Sequence, residues 1–511
     1  MRHLLILTAL VVAAPASAAE YLPVVEQIVS PEEKPLLQSL LQAVAKAERG
    51  EDALNELNQL LGKLQRPTPF RGFVQFIRAG ILSEDVGKEA EARAAIIESI
   101  RLLPQYGAPL ILGAEIEAYG DRPGLAADYL LRASQIDPET VNQIDGYEIN
   151  NVFMRLRQVN DDRRSAKLAE RLVEIGWSNG SFTLVSSMAM EVLEARLSRG
   201  DVDGAARMLP KIVTPAAFAR LQRENRFDVL RAAVEAWAGS NFEKIWPIYL
   251  DQAQAEWEAS HDPATAGAYA GALAAAGHDA TLIRTFLPVF NRKLDAAGDF
   301  ELIFVVPIVA NALSRQGRWD DAYGLYEKAL GIWPVGQSAS SINLTGNRAK
   351  LRLTQGEFRL ALRELDEVIQ DAKRWGGHVS ASTLASIHTY RACALEQLGR
   401  GREDISSVAI VTGWKRSSPT TMVYLQLCKN DLAGARTTLL EAIESEATRD
   451  DVIAFMQPTD ERVQDSAFAR LMASRFAQLR ADKALLEATR KYGRIRIQPI
   501  NVGAPPEAGE R

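Results

Sequence analysis

Turn signals recur along this chain at nearly even intervals, and that regularity limits what it can fold into more than any other feature. They fall at Gly87, Asp121, Asn160, Gly200, Gly239, Gly277, Gly317, Gly356, Gly399 and Asn430. Successive gaps are 34, 39, 40, 39, 38, 40, 39, 43 and 31 residues. Between the turns, runs such as Ala90–Leu103, Ala205–Val213 and Arg359–Gln370 carry apolar residues at three- and four-residue spacing. That is the period of a helix with one buried face. Alternating strand-like runs are almost absent. A fixed period of this size predicts stacked supersecondary units. Gly, Asn and Asp suit the turns because a tight helix-helix connection often needs a positive φ.

The spacing after each turn repeats as well. Gly317 is followed by Trp319, Ala322, Tyr326, Ala329 and Pro334; Gly356 by Phe358, Ala361, Leu365 and Val368. Gly200 leads to Val202, Ala205, Leu209 and Ile212, and Asn430 to Leu432, Ala435, Leu439 and Ala442. Asp121 leads to Ala126, Leu130, Ala133 and Pro138, and Gly87 to Ala92, Ile96, Ser99 and Pro104. The small residue five after the turn lets two antiparallel helices approach. The larger residue four later fills the gap to the next hairpin, and the one three beyond faces the same seam. Proline ends the second helix, since it lacks an N–H and clashes with the preceding turn.

This pattern resembles the tetratricopeptide repeat family over roughly residues 75–445. Six copies fit well, and those at Asn160, Gly239, Gly277 and Gly399 are looser. The family repeat is 34 residues, so gaps of 38–40 imply longer helices or loops. The resemblance implies an all-α fold, an α-solenoid of tandem antiparallel helical hairpins. The expected organisation is a signal peptide over 1–18, an N-terminal segment and capping hairpin over 19–75, the repeat array over 76–445, capping helices over 446–498 and a disordered tail over 499–511. In peptide-binding members of the family, first helices line a groove whose Asn, Lys and Arg grip a terminal carboxylate. Aligned by the turns, Asn311 and Asn347 fall at the two Asn positions and Arg391 near the basic one. Pro307 stands where that clamp has Lys.

The ends set an expectation about compartment. Arg2 and His3 precede an apolar run from Leu4 to Ala14, then Ala16-Ser17-Ala18. A basic start, short apolar core and small residues before the cut make a cleavable secretory signal. The run is about 11 residues against roughly 20 for a spanning helix. Cleavage after Ala18 leaves 511 − 18 = 493 residues, and losing Arg2 takes the net charge from −6 to −7. A bacterial periplasm fits best. The charge argues against nucleic acid, which needs clustered Lys and Arg. Hydrophobic content of 47% argues against disorder of the body, since enough apolar surface is present to pack. Cys393 and Cys428 are the only cysteines. Whether they pair stays open, because spacing does not set their separation.

No catalytic, cofactor or metal motif is present. H-E-x-x-H, G-x-S-x-G and phosphate-binding Gly loops are all missing. His261 and His278 each precede an Asp and read as turn or cap residues. Phe242, Trp246 and Tyr249 share one face on helical spacing. They read as a hairpin seam or, alternatively, as a platform for a sugar or peptide. The resulting expectation is an exported scaffold without catalysis, binding an envelope protein or peptide. The alternative is a glycan-acting or glycan-binding protein with a helical cleft. An open array with a polar groove would favour the first, and a closed ring with exposed aromatics around two acids the second.

Overall fold

The turn residues adopt the backbone that the sequence asks of them. In the computed structural model, φ is 55° at Asn160, 58° at Asn430 and 98° at Gly356, and is likewise positive at Gly87, Gly200, Gly239, Gly277, Gly317 and Gly399. The residue after the turn then donates its N–H to the carbonyl five positions back. Asp161 does so to Leu156 at 2.9 Å, Arg318 to Leu313 at 2.9 Å and Asp431 to Gln426 at 2.8 Å. This satisfies carbonyls that a helix end leaves without partners. Asp161, Asp201 and Asp431 also start the second helix, accepting the backbone N–H of Arg164, Gly204 and Gly434. One short polar segment thus ends one helix and caps the next.

The structure describes residues 22–507 except 49–51, 86, 121, 180–181, 337–339, 376–378, 404, 416–417, 461 and 463–464. The signal segment, the turn residue Asp121 and the last four residues lie outside these. The chain divides into two compact units, Met1–Ile212 and Val213–Arg511. Both are all-α. Among the described residues the one β feature is an isolated bridge between Glu224 and Gly493.

In the first unit, α1 (Leu22–Ile28), α2 (Lys34–Glu48) and α3 (Leu54–Lys63) precede the hairpins. These are α4 (Pro69–Glu84) with α5 (Glu89–Leu102), and α6 (Gly107–Tyr119) with α7 (Pro123–Ile136). After the short α8 (Pro138–Asn142) come α9 (Gly146–Gln158) with α10 (Asp162–Glu174), and α11 (Phe182–Ser198) with α12 (Val202–Ala206). Buried ion pairs tie successive hairpins. Glu117 on α6 is fully buried, accepts two hydrogen bonds from Arg93 Nε at 3.0 and 3.1 Å, and has Arg122 at 3.9 Å.

The second unit opens with α13 (Pro215–Arg223), α14 (Arg231–Ala238) and α15 (Ile245–Ser260). Then come the pairs α16 (Pro263–Ala276) and α17 (Asp279–Phe286), α18 (Val306–Arg315) and α19 (Trp319–Ile332), and α20 (Ser341–Gln355) and α21 (Phe358–Trp375). They are followed by α22 (Ala381–Gln397) and α23 (Ile405–Trp414), then α24 (Pro419–Cys428) and α25 (Leu432–Glu444). The last helices are α26 (Glu446–Phe455), α27 (Ala467–Arg480) and α28 (Lys483–Tyr492).

The three repeat positions after each turn form the seams. Ala92, Ile96 and Ser99; Ala126, Leu130 and Ala133; Ala205, Leu209 and Ile212; Ala322, Tyr326 and Ala329; and Ala361, Leu365 and Val368 are all buried. In the copy after Asn430, Ala435 and Leu439 are buried and Ala442 is half-buried. In the second unit one apolar cluster runs without a break from Ile342 to Leu485. A stack of hairpins that each leave an apolar face uncovered needs such continuity. Cys393 and Cys428 form a disulfide between α22 and α24, with Cα atoms 5.5 Å apart. Residues 35 apart therefore occupy matching places on successive first helices.

The C-terminal helices pack on the preceding hairpin, and this part of the chain also makes contacts that the repeat pattern does not give. Within the second unit, α26 and the segment after α28 meet α13 and the turn that follows it. Arg220 and Arg226 each reach Asp450 at 3.2 Å, the Arg494 N–H donates to the Arg223 carbonyl at 2.6 Å, and Arg494 Nη2 meets Asp228 at 3.0 Å. Gly493 is needed there, because a Cβ would stand 2.7 Å from the Arg223 carbonyl oxygen. The tail expected to be disordered from Pro499 is laid against the same unit as far as Glu507, with a short 3-10 turn at Ile500–Gly503. Its composition leaves little to bury, as read from the sequence. It is held by hydrogen bonds to its backbone, which composition does not reveal.

Candidate functional site

A hollow of about 240 Å³ lies between the first helices of two successive hairpins in the second unit, α20 and α22. Its walls follow from helical spacing. Ile342, Asn343, Gly346 and Asn347 share one face of α20, and Ser382, Thr383, Ser386, Ile387 and Tyr390 share the facing side of α22. Ile342 and Ile387 are buried and make the floor. The polar side chains stand around it half-buried or exposed. Asn347 donates through Nδ2 to the Asn343 carbonyl at 2.8 Å, which fixes its amide. Ser380 caps α22 by accepting the Thr383 N–H at 3.1 Å, and this sets the start of that wall. Tyr390 is steadied edge-on by Tyr424, ring centres 5.8 Å apart. Gly346 keeps the middle open: a Cβ there would meet only Ile387 Cγ1, at 3.8 Å. The arrangement offers amide, hydroxyl and phenol groups around an apolar floor, the chemistry of a site for peptide backbone.

The three proposed clamp residues are not brought together. Asn347 lines this hollow. Arg391 leaves α22 on another side and lines a second cavity of about 780 Å³ with Asp366, His388 and Ser407. There its Nε donates to Asp366 Oδ1 at 2.6 Å and its Nη1 to Ser407 Oγ at 3.4 Å. Asn311 sits half-buried on α18 and lines neither cavity. Aligning by the turns places a position only to within a residue or two, and one residue is about 100° around a helix, enough to aim Arg391 elsewhere.

The aromatic platform is also corrected. Phe242 and Trp246 are buried. Phe242 has φ 63° and precedes α15, which starts at Ile245, so it does not share a helical face with Trp246 and Tyr249. Trp246 and Tyr249 pack edge-on at 6.0 Å, and the Arg496 guanidinium covers Phe242 at 4.3 Å. The Trp246 indole N–H donates to the Ile500 carbonyl at 3.0 Å. Sequence reasoning missed this role. It placed His278 at the turn, and there His278 precedes α17 and donates its N–H to the Leu273 carbonyl at 2.9 Å; what it missed is that the ring reaches the Pro505 carbonyl of the tail at 2.7 Å. Contact between the first and last helices of the second unit is what the glycan reading asks for, but this aromatic group is covered.

The first unit has a narrow apolar cleft lined by Ile111, Ala114, Leu130, Ile149 and Val152, with Glu148 at its edge. Burial pushes the Glu148 carboxyl up to about 7, although a hydrogen bond from the Tyr119 hydroxyl at 3.3 Å favours the charged form. The unfolded chain therefore loses this proton first as pH rises. Stability present below about pH 4.5 is lost towards pH 7, on the order of 3 kcal/mol in all. Glu148→Gln should melt with wild type near pH 4.5 and above it at pH 8. Parallel melting-temperature profiles of the two proteins would contradict this assignment.

Among the described residues no group of three or more His, Cys, Asp and Glu is placed to hold a metal ion, and no helix is long and apolar enough to cross a membrane. No protein-family model matches the chain, and no curated protein matches it. Solved structures do resemble it at low identity. Yeast Tom70 is 14% identical with a TM-score of 0.35, over 90% of this chain and 100% of that one. Naa15/Naa10 bound to HypK-THB is 12% identical with a TM-score of 0.26, over 89% and 79%. A monomeric mutant of IFIT1 with Gppp-AAAA is 12% identical with a TM-score of 0.33, over 84% and 88%.

Proposed function

We propose that this chain is an exported scaffold that holds a peptide segment of an envelope protein and catalyses nothing itself. The observation that carries the reading is the hollow between α20 and α22, where Asn343, Asn347, Ser386 and Tyr390 surround an apolar floor. Hydrogen-bonding groups at helical spacing on two facing helices suit a chain that offers a backbone N–H and C=O at each step. Export is supported by the basic, apolar and small-residue order of residues 2–18. The disulfide supports an oxidising compartment.

The test is mild crosslinking in the native cells and identification of what co-purifies, with Asn343→Ala/Asn347→Ala and Gly346→Leu beside wild type. Leucine at 346 should fill the hollow. A partner held by wild type and lost by both variants is the expected result. A partner held equally by all three would place recognition elsewhere. The mature chain is expected to begin at Ala19 by mass. Contact between the first and last helices of the second unit also favours a glycan-binding reading, and co-sedimentation of wild type with purified cell-wall glycan, absent any protein partner, would select it.

A further inference from the structure

We propose that the second unit carries a separate site for an extended peptide bearing a carboxylate, and that the chain's own tail, Gln498–Glu507, is its resident occupant. The site lies apart from the hollow between α20 and α22, so either can fail without the other.

The tail is recognised through its backbone. The Trp246 indole N–H donates to the Ile500 carbonyl at 3.0 Å, and His278 Nε2 donates to the Pro505 carbonyl at 2.7 Å. The Glu507 carboxylate accepts the Thr281 N–H in the first turn of α17. A helix start suits an anion, because its N–H groups lack partners within the helix. Just upstream Gln457 grips the same strand twice. It donates to the Arg494 carbonyl at 2.9 Å and accepts the Arg496 N–H at 3.1 Å. Contacts of this kind read the path of a backbone rather than its side chains.

Two side chains add to this hold, the Glu507 carboxylate and Asn501, whose Nδ2 donates to Asp460 Oδ2 at 3.1 Å, but little of the tail's side-chain surface is covered. None in the 3-10 turn Ile500–Gly503 is buried, Val502 is 53% exposed, and the preceding Ile497 is 97% exposed. The seat is also larger than its occupant. A cavity of about 500 Å³ remains beside Pro499, Ile500 and Asn501, walled by Ala219, Ala274 and Ala275. Arg223 borders it with a buried Nε that has no hydrogen-bond partner, and burial lowers its pKa. A seat that grips backbone, leaves space and keeps a guanidinium N–H unused is built to accept another segment, one richer in acidic or bulky side chains than the tail.

The tail's fit depends on Gly503, where a Cβ would run into the Asn241 backbone carbonyl. Gly503→Leu in the full chain should therefore expel the tail and open the site. The probe is a fluorescent decapeptide with the sequence Gln498–Glu507, followed by anisotropy. A tethered tail competes at an effective concentration on the order of millimolar, so wild type should bind the free peptide at least about tenfold more weakly than Gly503→Leu. A peptide carrying Glu507→Gln should bind the opened chain several-fold more weakly. Trypsin cleavage after Arg496, faster in Gly503→Leu than in wild type, reports that the tail has left. A released tail with no peptide binding would overturn the proposal. Should Gly503→Leu fail to fold, wild type decides alone through deuterium uptake at the amides of residues 500–504 and 507. Uptake raised by excess decapeptide supports exchange at the site, and uptake unchanged by it overturns the proposal.

Discussion

Cys393→Ala/Cys428→Ala should lower the stability of the second unit by about 3–4 kcal/mol. The bond closes a loop of 35 residues, and constraining a loop of that size in the unfolded chain is worth about that much on the chain-entropy model. Alanine is the right replacement. Both cysteines are buried, at 0% and 2% exposed, and serine would add a hydroxyl without a partner. The bond also joins matching places on α22 and α24, so it fastens two successive hairpins of the apolar cluster that runs from Ile342 to Leu485. Urea unfolding followed by the tryptophan signal checks this. The midpoint should fall, and reduction of wild type should reproduce the fall. Equal midpoints for oxidised wild type and the double variant would mean that the bond contributes nothing.

Glu117→Ala should destabilise the first unit by a comparable amount, about 3–5 kcal/mol, the usual cost of removing one member of a buried ion pair. Glu117 is fully buried and accepts both of its close hydrogen bonds from Arg93 Nε. Arg93 in turn donates to the Gly120 carbonyl at 3.3 Å, so the pair fixes the turn as well as the seam. Alanine leaves a half-buried guanidinium facing an empty place. Arg93→Ala/Glu117→Ala should recover part of the loss, because the charge left behind is the larger share of it. Two single losses that simply add in the double variant would show that the pair does not act as a pair.

Much of this fold was legible because its physics is local. A positive φ at the turn, a capping Asp after it and a small residue five positions on are each set by a few neighbouring residues. Asn160 and Asn430 show it best, since both take φ values near 55–58° that few side chains other than Asn accept readily. The copy after Gly239 was loose for a reason the sequence did not display. Phe242 takes a second positive φ three residues later, and this shifts the start of α15 to Ile245. Counting helical positions from Phe242 therefore assigned it a face it does not have.

The candidate site was only partly legible. Asn347 lines the hollow because it shares the face of α20 that carries Asn343 and Gly346. Arg391 lies near its expected number but on another side of α22, paired with Asp366. Contacts between residues more than 200 positions apart were out of reach. Arg220 with Asp450, Trp246 with Ile500 and His278 with Pro505 join segments that no periodic pattern connects. The tail illustrates the limit, since the contacts from Trp246 and His278 go to backbone carbonyls that every sequence shares.

The central claim, that the hollow between α20 and α22 holds a partner's peptide segment, is tested most directly by a photo-reactive phenylalanine analogue placed at Asn347 in the full chain in its native cells. The same analogue at Arg363, exposed on α21, serves as the comparison. The account predicts a discrete crosslinked protein from position 347 and none from 363. The same products from both positions, or a product from 363 alone, would contradict it.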